Sequence, residues 1–277
     1  MGVPPATAPT AVVGHVEWVT HARGRLPVPG GISDLREPIT EAAGGGGVAA
    51  AAIARAADPV LLFTAIGTGP AADAARRALE RPGLEVHAAP RPHAQTPVLS
   101  VTHPDGDRTI MVVGERLQPR AVDVLPWHRL AGCASCYYAG EDPDALVHAR
   151  QAAVLVVTAR RAHDVRAAGV TPDVLVASAA DPHEDPSAVP SALAPEWTVI
   201  TDGARGGIVR SRRGGEWTYA AQAPPGPVVD TYGCGDTFAG CLAAFLGRGQ
   251  SIDQAIAHAA REAARCTTWR GGPGPAA

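Results

Sequence analysis

The sequence contains no lysine and no asparagine, so all 24 of its basic residues are arginines. The absence of lysine excludes a Walker P-loop, which requires a Gly-Lys-Ser/Thr triplet. It also excludes the strand lysine of protein kinases and the Schiff-base lysine of pyridoxal phosphate enzymes. The absence of asparagine excludes N-linked glycosylation. Because alanine, glycine, proline and arginine are abundant, we interpret both absences as codon bias in a GC-rich genome.

Charge and hydropathy exclude further classes of protein. The formal net charge of −3 over 277 residues argues against a broad nucleic-acid-binding surface. No run of 18 apolar residues and no charged-then-apolar leader is present, so we expect no membrane span and a cytoplasmic location. The odd count of five cysteines argues against a disulfide framework. The single Cys133-Ala-Ser-Cys136 motif lacks a second cysteine pair, and we interpret it as structural rather than zinc-binding or redox-active.

Apolar strands and amphipathic helices alternate along most of the chain. A buried strand is predicted over Thr10–Val19, and Gly44–Gly47 is predicted to form a turn that leads into a helix over about Val48–Ala57. Further β and α segments follow, and the chain closes with two helices. This alternation predicts an α/β fold with a mostly parallel central sheet between helices, and the length suits one large domain over residues 1–277.

Two segments depart from the alternation and predict a small β lid. Val98–Thr102 and Arg108–Val113 alternate apolar and polar residues around a Pro-Asp-Gly-Asp turn, which is a hairpin pattern. An earlier segment contains Pro-Val-Pro-Gly. We therefore expect a lid built from residues 17–41 and 96–113, whose exposed face could also pair two copies of the chain as a homodimer.

The stretch VVDTYGCGDTFAGCLAAFLG, residues 228–247, carries the strongest chemical signal. Gly233, Cys234 and Gly235 precede an apolar helix, where free N–H groups and the helix dipole favour an anion. Asp236 in the first helical turn could accept a hydroxyl proton as that oxygen attacks phosphorus. Asp230 could organise the loop or a cation. A simple capped turn would also explain the bare Gly-Cys-Gly-Asp tetrapeptide.

The longer pattern Asp-Thr-x-Gly-x-Gly-Asp, followed by a helix rich in small residues, resembles the signature of the ribokinase-like (PfkB) carbohydrate kinases. Cys234 replaces the alanine that is usual there. Weaker similarities include AGGGGVAAAAIARA, TPVLSVTHPDGDRTIMVV and VITDGARGGIVR. The resemblance implies a three-layer α/β sandwich with a β lid that transfers phosphate from ATP, with Mg²⁺, to a hydroxyl of a sugar or sugar-like molecule.

The resemblance also implies roles for individual residues. Asp236 would be the base, and Gly233, Cys234 and Gly235 would form the anion hole. The nucleotide would lie near Thr201, Gly203, Arg205, Gly206 and Gly235. The sugar would face Glu17, Gly44, Gly45, Gly46, Gly47 and Glu141. A monovalent cation such as K⁺ would match Asp230 and the Tyr232 carbonyl, and Asp181, in the stretch Ser178–Asp181, would help to place Mg²⁺.

Departures from the family pattern leave the acceptor open. Glu17 and Val19 stand where ribokinases carry Asn and Asp, Ala49 replaces an asparagine, and Ser178 begins the stretch in which the family has Asn-x-x-Glu. Glu17, with His15 and Trp18, is therefore also compatible with a different polyol or with a nucleoside as acceptor. A non-catalytic sugar- or nucleotide-binding protein of the same fold remains an alternative. So does a dinucleotide oxidoreductase, because Gly67-Thr-Gly69-Pro-Ala-Ala72 and Glu85 form a weak dinucleotide fingerprint.

Overall fold

A nine-stranded sheet forms the centre of the molecule in a computed structural model, which describes residues 8–56, 59–104, 108–272 and 274. Thirteen strands and six α-helices are present in the described residues. The strands are β1 (Thr10–Gly14), β2 (Glu17–Arg23), β3 (Arg36–Ala43), β4 (Val60–Thr68), β5 (Leu84–Ala94), β6 (Pro97–Thr102), β7 (Arg108–Val112), β8 (Ser135–Ala139), β9 (Val154–Thr158), β10 (Val174–Ser178), β11 (Trp197–Thr201), β12 (Gly207–Ser211) and β13 (Glu216–Tyr219). The helices are α1 (Gly44–Arg55), α2 (Pro70–Ala78), α3 (Pro143–Ala149), α4 (Ala162–Ala168), α5 (Cys234–Gly247) and α6 (Ile252–Cys266).

The central sheet is mostly parallel, as predicted. Its strand order is β13-β12-β11-β10-β9-β8-β1-β4-β5. Every neighbouring pair from β11 to β5 is parallel, whereas β12 and β13 continue the sheet in antiparallel pairing. Parallel strands need crossover connections, and the α-helices provide several of these.

Helices cover both faces of this sheet because the strand side chains alternate in direction. Val12 and Leu62 belong to a buried core shared with α1, α2, α5 and α6. Their neighbours Val13 and Phe63 belong to a second core shared with α3 and α4. The layers are therefore helix, sheet and helix, and the predicted α/β sandwich is confirmed. Within the described ranges, no helix combines the length and apolarity that a bilayer crossing requires.

A separate four-stranded sheet forms the predicted lid, in the order β3-β2-β6-β7. Strands β2 and β3 pair antiparallel, β2 and β6 parallel, and β6 and β7 antiparallel. The predicted segments, residues 17–41 and 96–113, cover these strands except for the last two residues of β3. The predicted hairpin turn at Pro-Asp-Gly-Asp lies mostly outside the described residues, since positions 105–107 are not among them.

Two sequence predictions about the start of the fold are wrong in detail. The strand predicted over Thr10–Val19 is divided, because β1 ends at Gly14 in the central sheet and β2 begins at Glu17 in the lid. The carbonyl of His15, at this break, accepts the N–H groups of Gly46 and Gly47 at 3.0 and 3.4 Å. Those glycines were predicted to form a turn, but they are the first turn of α1.

Candidate active site

The N-terminus of α5 has the geometry that the sequence pattern predicted. Gly233 is the N-cap residue with φ +73°, a left-handed conformation that favours glycine, and Cys234 is the first helical residue. The first N–H groups of any α-helix lack acceptors within the helix and carry its positive dipole end. Gly235 and Asp236 therefore present donors at one point, with the Asp236 carboxylate in the same turn. The Cys234 N–H donates to the Thr231 carbonyl at 3.4 Å.

The Asp236 carboxylate is held by a tyrosine from the central sheet. The Tyr137 hydroxyl, on β8, donates a hydrogen bond to Asp236 Oδ1 at 2.8 Å. Burial raises the pKa of Asp236, while the Tyr137 hydrogen bond and the nearby His15 and Arg160 oppose that rise. A Cβ atom at Gly45 would lie 3.1 Å from Asp236 Oδ1, so a glycine at this position keeps space beside the carboxylate.

A cavity of about 480 Å³ lies at the end of lid strand β7, and we call it the lid-side cavity. It contains the predicted residue Glu141, which pairs with Arg161 at 3.1 Å. The predicted Glu17 is buried close by, and Arg116 Nε donates to Glu17 Oε1 at 2.8 Å. The cavity is lined by Val112, Gly114, Glu115, Arg116, Gln118, Arg120, Glu141, Asp142 and Pro143.

His15 connects this cavity to the carboxylate. Its Nε2 accepts the N–H of Gly45 at 3.2 Å, and its Nδ1 lies 3.3 Å from the Gln118 side-chain amide. Because Nε2 accepts the Gly45 N–H, a neutral imidazole here carries its proton on Nδ1, and the unpartnered Gln118 amide oxygen accepts that proton only in the flipped orientation of the amide. Burial lowers the pKa of His15 in spite of the nearby Glu17 and Asp236.

The four predicted sugar-facing glycines use their N–H groups within the protein. Gly44 donates to the Tyr232 hydroxyl at 3.4 Å, Gly45 to His15 Nε2, and Gly46 and Gly47 to the His15 carbonyl. A Cβ at Gly46 would approach the Gly14 carbonyl carbon to 2.7 Å. Close packing of α1 against β1 therefore explains why glycine is needed, and these N–H groups are not free donors for a ligand.

A second cavity of about 370 Å³ lies between the end of the central sheet and α5 and α6, and we call it the helix-side cavity. It brings together most of the residues predicted to lie near the nucleotide. Among its lining residues are Thr201, Gly203, Gly206, Cys234 and Gly235. Arg205 does not line it, because its guanidinium is bound by Asp202 at 2.5 and 2.7 Å and is mostly exposed.

Sequence reasoning missed the apolar wall of the helix-side cavity. Tyr219 and Phe238 stack with ring centroids 6.3 Å apart, and both line the cavity. The C-terminal half of α6 supplies small side chains that leave room for a flat ligand. The spacing of Ala260, Ala263, Ala264 and Thr267 along one helix was the available signal.

The pair predicted to hold a monovalent cation is already engaged. Asp230 Oδ1 accepts the N–H of Tyr232 at 2.9 Å, and Oδ2 accepts the N–H of Gly271 at 3.1 Å. The Tyr232 carbonyl accepts the Cys266 thiol at 3.4 Å. Arg108, on lid strand β7, places its guanidinium 3.6 Å from Asp230 and 3.0 Å from the Thr231 hydroxyl. The Asp230 carboxylate and the Tyr232 carbonyl are therefore already hydrogen-bonded, and the Arg108 guanidinium lies beside Asp230. These two groups do not fit K⁺.

The predicted magnesium residue lies in a small charged cluster. Asp181 pairs with Arg160, which also lies 3.5 Å from Glu184. Glu184 Oε2 accepts the N–H of Ser178 at 2.9 Å, and burial raises the pKa of Glu184, with Arg160 opposing. The prediction missed Glu184, which folds back over the Ser178–Asp181 stretch. Within the described residues, no group of three or more His, Cys, Asp or Glu side chains is arranged to hold a metal by itself.

The weaker sequence signals have structural explanations. Cys133 and Cys136 are buried free cysteines. Gly67 donates its N–H to the Gln95 side chain at 2.9 Å, and a Cβ there would meet the His93 carbonyl at 2.5 Å. Backbone contact with the end of β5 therefore occupies the Gly67 turn that a dinucleotide would have to approach.

Comparisons with known proteins agree with this geometry. Residues 175–276 match the model of the pfkB family carbohydrate kinases, which confirms the resemblance seen in the sequence. A search of curated proteins finds no match. Solved structures, by contrast, are similar to this chain over nearly its whole length.

Three solved structures illustrate that similarity. Arabidopsis thaliana ribokinase complexed with ribose and ATP is 17% identical, with a TM-score of 0.75, over 96% of this chain and 95% of that one. Thermotoga maritima ribokinase is 16% identical, with a TM-score of 0.78, over 96% and 95%. Escherichia coli phosphofructokinase-2 is 15% identical, with a TM-score of 0.71, over 94% and 92%. The fold is therefore ribokinase-like.

Proposed function

We propose that this chain is a single-domain kinase that transfers the γ-phosphoryl group of ATP to a hydroxyl of a sugar or sugar-like molecule. The observation that carries the proposal is the position of Asp236. Its helical turn borders the helix-side cavity through Cys234 and Gly235. Its carboxylate lies beside His15, which contacts Gln118 in the wall of the lid-side cavity. A base whose neighbours contact two cavities suits transfer of a group from one ligand to another.

In this proposal the acceptor occupies the lid-side cavity and the nucleotide the helix-side cavity. Asp236 takes the proton of the acceptor hydroxyl as its oxygen attacks phosphorus, and burial makes Asp236 a stronger base than an exposed aspartate. Tyr137 fixes the carboxylate in place. The N–H groups of Gly235 and Asp236 stabilise charge on the transferring phosphoryl group, whereas the Cys234 N–H would first have to leave the Thr231 carbonyl.

Magnesium fits the site as a partner of the ATP phosphates rather than as a resident ion. Mg²⁺ is commonly held by one or two carboxylates, substrate phosphates and waters. Asp181 and Glu184 offer such carboxylates around Arg160, and the partly desolvated Glu184 would gain from a nearby cation. When bound, Mg²⁺ would neutralise phosphate charge. We assign no step to K⁺, because the contacts of Asp230 do not fit it.

The acceptor proposed here is polar and able to form several hydrogen bonds. The lid-side cavity has arginine and carboxylate groups on its walls, with Arg116 40% exposed beside the buried Glu17. Such groups match a hydroxyl-rich ligand better than an apolar one. A sugar or a polyol therefore suits the cavity, and a nucleoside kinase of the same family remains compatible.

A second candidate function is a non-catalytic sugar- or nucleotide-binding protein. One observation favours it: the Asp181 carboxylate is held by Arg160 instead of being free for a metal. Asp236 favours the kinase over the binding protein, because a binding protein does not require a half-buried carboxylate oriented by Tyr137.

The test is release of ADP from ATP across a panel of pentoses, hexoses, keto-deoxy sugars, polyols and nucleosides, with Mg²⁺ and with or without K⁺. We expect turnover that depends on one class of acceptor and is lost in Asp236→Asn. Asp253→Asn, which changes a carboxylate in the first turn of α6, is the matched control. Binding of ATP and acceptor without turnover would favour the binding protein, and failure to bind ATP would exclude the nucleotide site.

A further inference from the structure

One arginine of the lid reaches the core and contacts the loop that leads into α5. Arg108 is the first residue of lid strand β7. Its guanidinium lies 3.6 Å from Asp230, donates to the Thr231 hydroxyl at 3.0 Å and lies over the Tyr232 ring, 5.5 Å from the ring centroid. A single positive group therefore contacts three consecutive residues, directly before the N-cap residue Gly233.

Asp230 is a buried charge that ties two segments of the core together. Its side chain is only 3% exposed. The carboxylate accepts the N–H of Tyr232 in the loop before α5 and the N–H of Gly271 in the segment after α6, at 2.9 and 3.1 Å. A buried carboxylate is costly unless a positive group accompanies its hydrogen bonds. The Arg108 guanidinium brings such a group from the lid.

The loop that Arg108 contacts also sets the position of the proposed anion hole. The Thr231 carbonyl accepts the N–H of Cys234, the first residue of α5, at 3.4 Å. The Tyr232 hydroxyl accepts the N–H of Gly44, the first residue of α1, at 3.4 Å. The loop is therefore joined to the starts of two helices, and its displacement would move the N-terminus of α5.

We propose that Arg108 is a built-in cation that positions this loop, so that the protein needs no alkali cation there. The resemblance to the carbohydrate kinases implies K⁺ at Asp230 and the Tyr232 carbonyl, and the contacts of both groups disagree with that implication. A K⁺ site replaces the hydration shell of the ion with oxygen atoms. A guanidinium instead binds a carboxylate, a hydroxyl and an aromatic face, which are the three groups that the loop presents.

Arg108 also compensates negative charge near the proposed position of the phosphate. Asp230 belongs to the loop before α5, so an uncompensated carboxylate there would oppose an anion at the N-terminus of that helix. The guanidinium removes this repulsion and, unlike a free ion, is not lost on dilution. The effect on nucleotide binding rests on the function proposed above, whereas the effect on the loop does not.

A second lid arginine provides the matched control. Arg23 on β2 and Arg108 on β7 both stand opposite Thr102 of β6, so they lie at the same end of the lid sheet. Arg23 pairs at 3.6 Å with Glu37, which also belongs to the lid, and the two side chains are 47% and 62% exposed. Exposed pairs of this kind contribute little to stability. Arg23→Ala therefore removes a lid guanidinium whose partner is not the core loop.

Thermal unfolding tests the built-in cation without any use of activity. We expect the wild-type Tm to be the same in KCl and in tetramethylammonium chloride at equal ionic strength. Arg108→Ala should lower the Tm by about 2–4 °C, the size that loss of one favourable contact produces in a large domain. Guanidinium chloride at about 20 mM, far below denaturing concentrations, should restore part of that loss and leave the wild type and Arg23→Ala unchanged. A wild-type Tm that is higher in K⁺ would overturn the proposal, as would a loss in Arg108→Ala that guanidinium does not reduce.

Calorimetric titration with MgATP tests the consequence for the proposed function. We expect the wild-type Kd to be equal in the two salts. Arg108→Ala should bind MgATP about 10- to 100-fold more weakly, the effect of losing one hydrogen bond to a charged group, whereas Arg23→Ala should match the wild type. An unchanged Kd in Arg108→Ala would overturn the link between Arg108 and the anion hole. If the wild type bound no MgATP, the proposed function would fail, while the unfolding comparison would still decide the role of Arg108 at the loop.

Discussion

The lid-side cavity and the helix-side cavity are built in opposite ways. The lid-side cavity is walled by charged groups that are already paired with one another, such as Arg116 with Glu17 and Arg161 with Glu141. The helix-side cavity is walled largely by alanines, by glycines and by the stacked rings of Tyr219 and Phe238. An apolar wall accepts a flat ring with little selectivity, whereas an ion-paired wall accepts only a ligand whose polar groups match it. Selectivity should therefore come from the lid side.

The largest effect should come from Asp236, the proposed base. In Asp236→Asn the amide cannot accept the acceptor proton, so we expect kcat to fall by about 10²- to 10⁴-fold, the usual contribution of a general base. The Kd values for ATP and for the acceptor should change little, because neither cavity is altered. Steady-state kinetics, with calorimetry for both ligands, provides the measurement.

Tyr137→Phe separates proton acceptance from orientation of the carboxylate. This variant keeps the buried ring but removes the hydroxyl that donates to Asp236 Oδ1. Because that hydrogen bond favours the ionised carboxylate, its loss should raise the pKa of Asp236. The acidic limb of the kcat profile should therefore move to higher pH. Equal rates at all pH values in wild type and Asp236→Asn would contradict the role of the carboxylate as base.

A change on the lid side should alter acceptor use alone. Glu17→Gln keeps the shape of the side chain but removes the charge that Arg116 binds. We expect kcat/KM for the acceptor to fall by about 10- to 100-fold, in the range for loss of a charged hydrogen bond, while KM for ATP stays unchanged. Glu115→Gln is the control, because Glu115 lines the lid-side cavity beside Arg116 but is highly exposed and pairs with Arg120 at 3.4 Å. An equal loss of kcat/KM in both variants would mean that the total charge near the cavity matters and that Glu17 has no specific role.

A change on the helix side should alter nucleotide use alone. Ala263→Leu adds volume to the apolar wall of the helix-side cavity. Overpacking typically costs about 1–3 kcal/mol, which corresponds to a rise of about 5- to 150-fold in KM for ATP. KM for the acceptor should not move. If both KM values rose together, the two cavities would not be the separate sites that the comparison assumes.

The sequence predicted the helix-side features better than those of the lid side. The glycines and aspartates around Asp236 and Gly203 follow a local pattern in which a strand end meets a helix start, and local patterns are visible in one dimension. The lid-side contacts of His15 with Gly45 and Gln118 join positions 30 and 103 residues apart. No periodicity predicts such pairs, because the folded sheet creates them. The strand break at His15 and the contact of Glu184 with the Ser178 N–H were missed for the same reason, because only the folded chain brings those partners together.

The smallest expected effect concerns stability and the neutral His15 at the border of the lid-side cavity. Its pKa in the folded protein lies below the ordinary value of 6.5, since burial outweighs the nearby Glu17, Asp236 and Glu141. The unfolded chain therefore binds more protons below pH 6.5, and the stability contributed by neutral His15 is complete above that pH and is lost as the pH falls. We expect the wild-type Tm to fall more between pH 7 and pH 5 than that of His15→Gln, whose amide oxygen can still accept the Gly45 N–H. Parallel Tm curves would show that His15 is not a buried neutral acceptor, and would reopen the Gly45 N–H as a donor to the acceptor substrate.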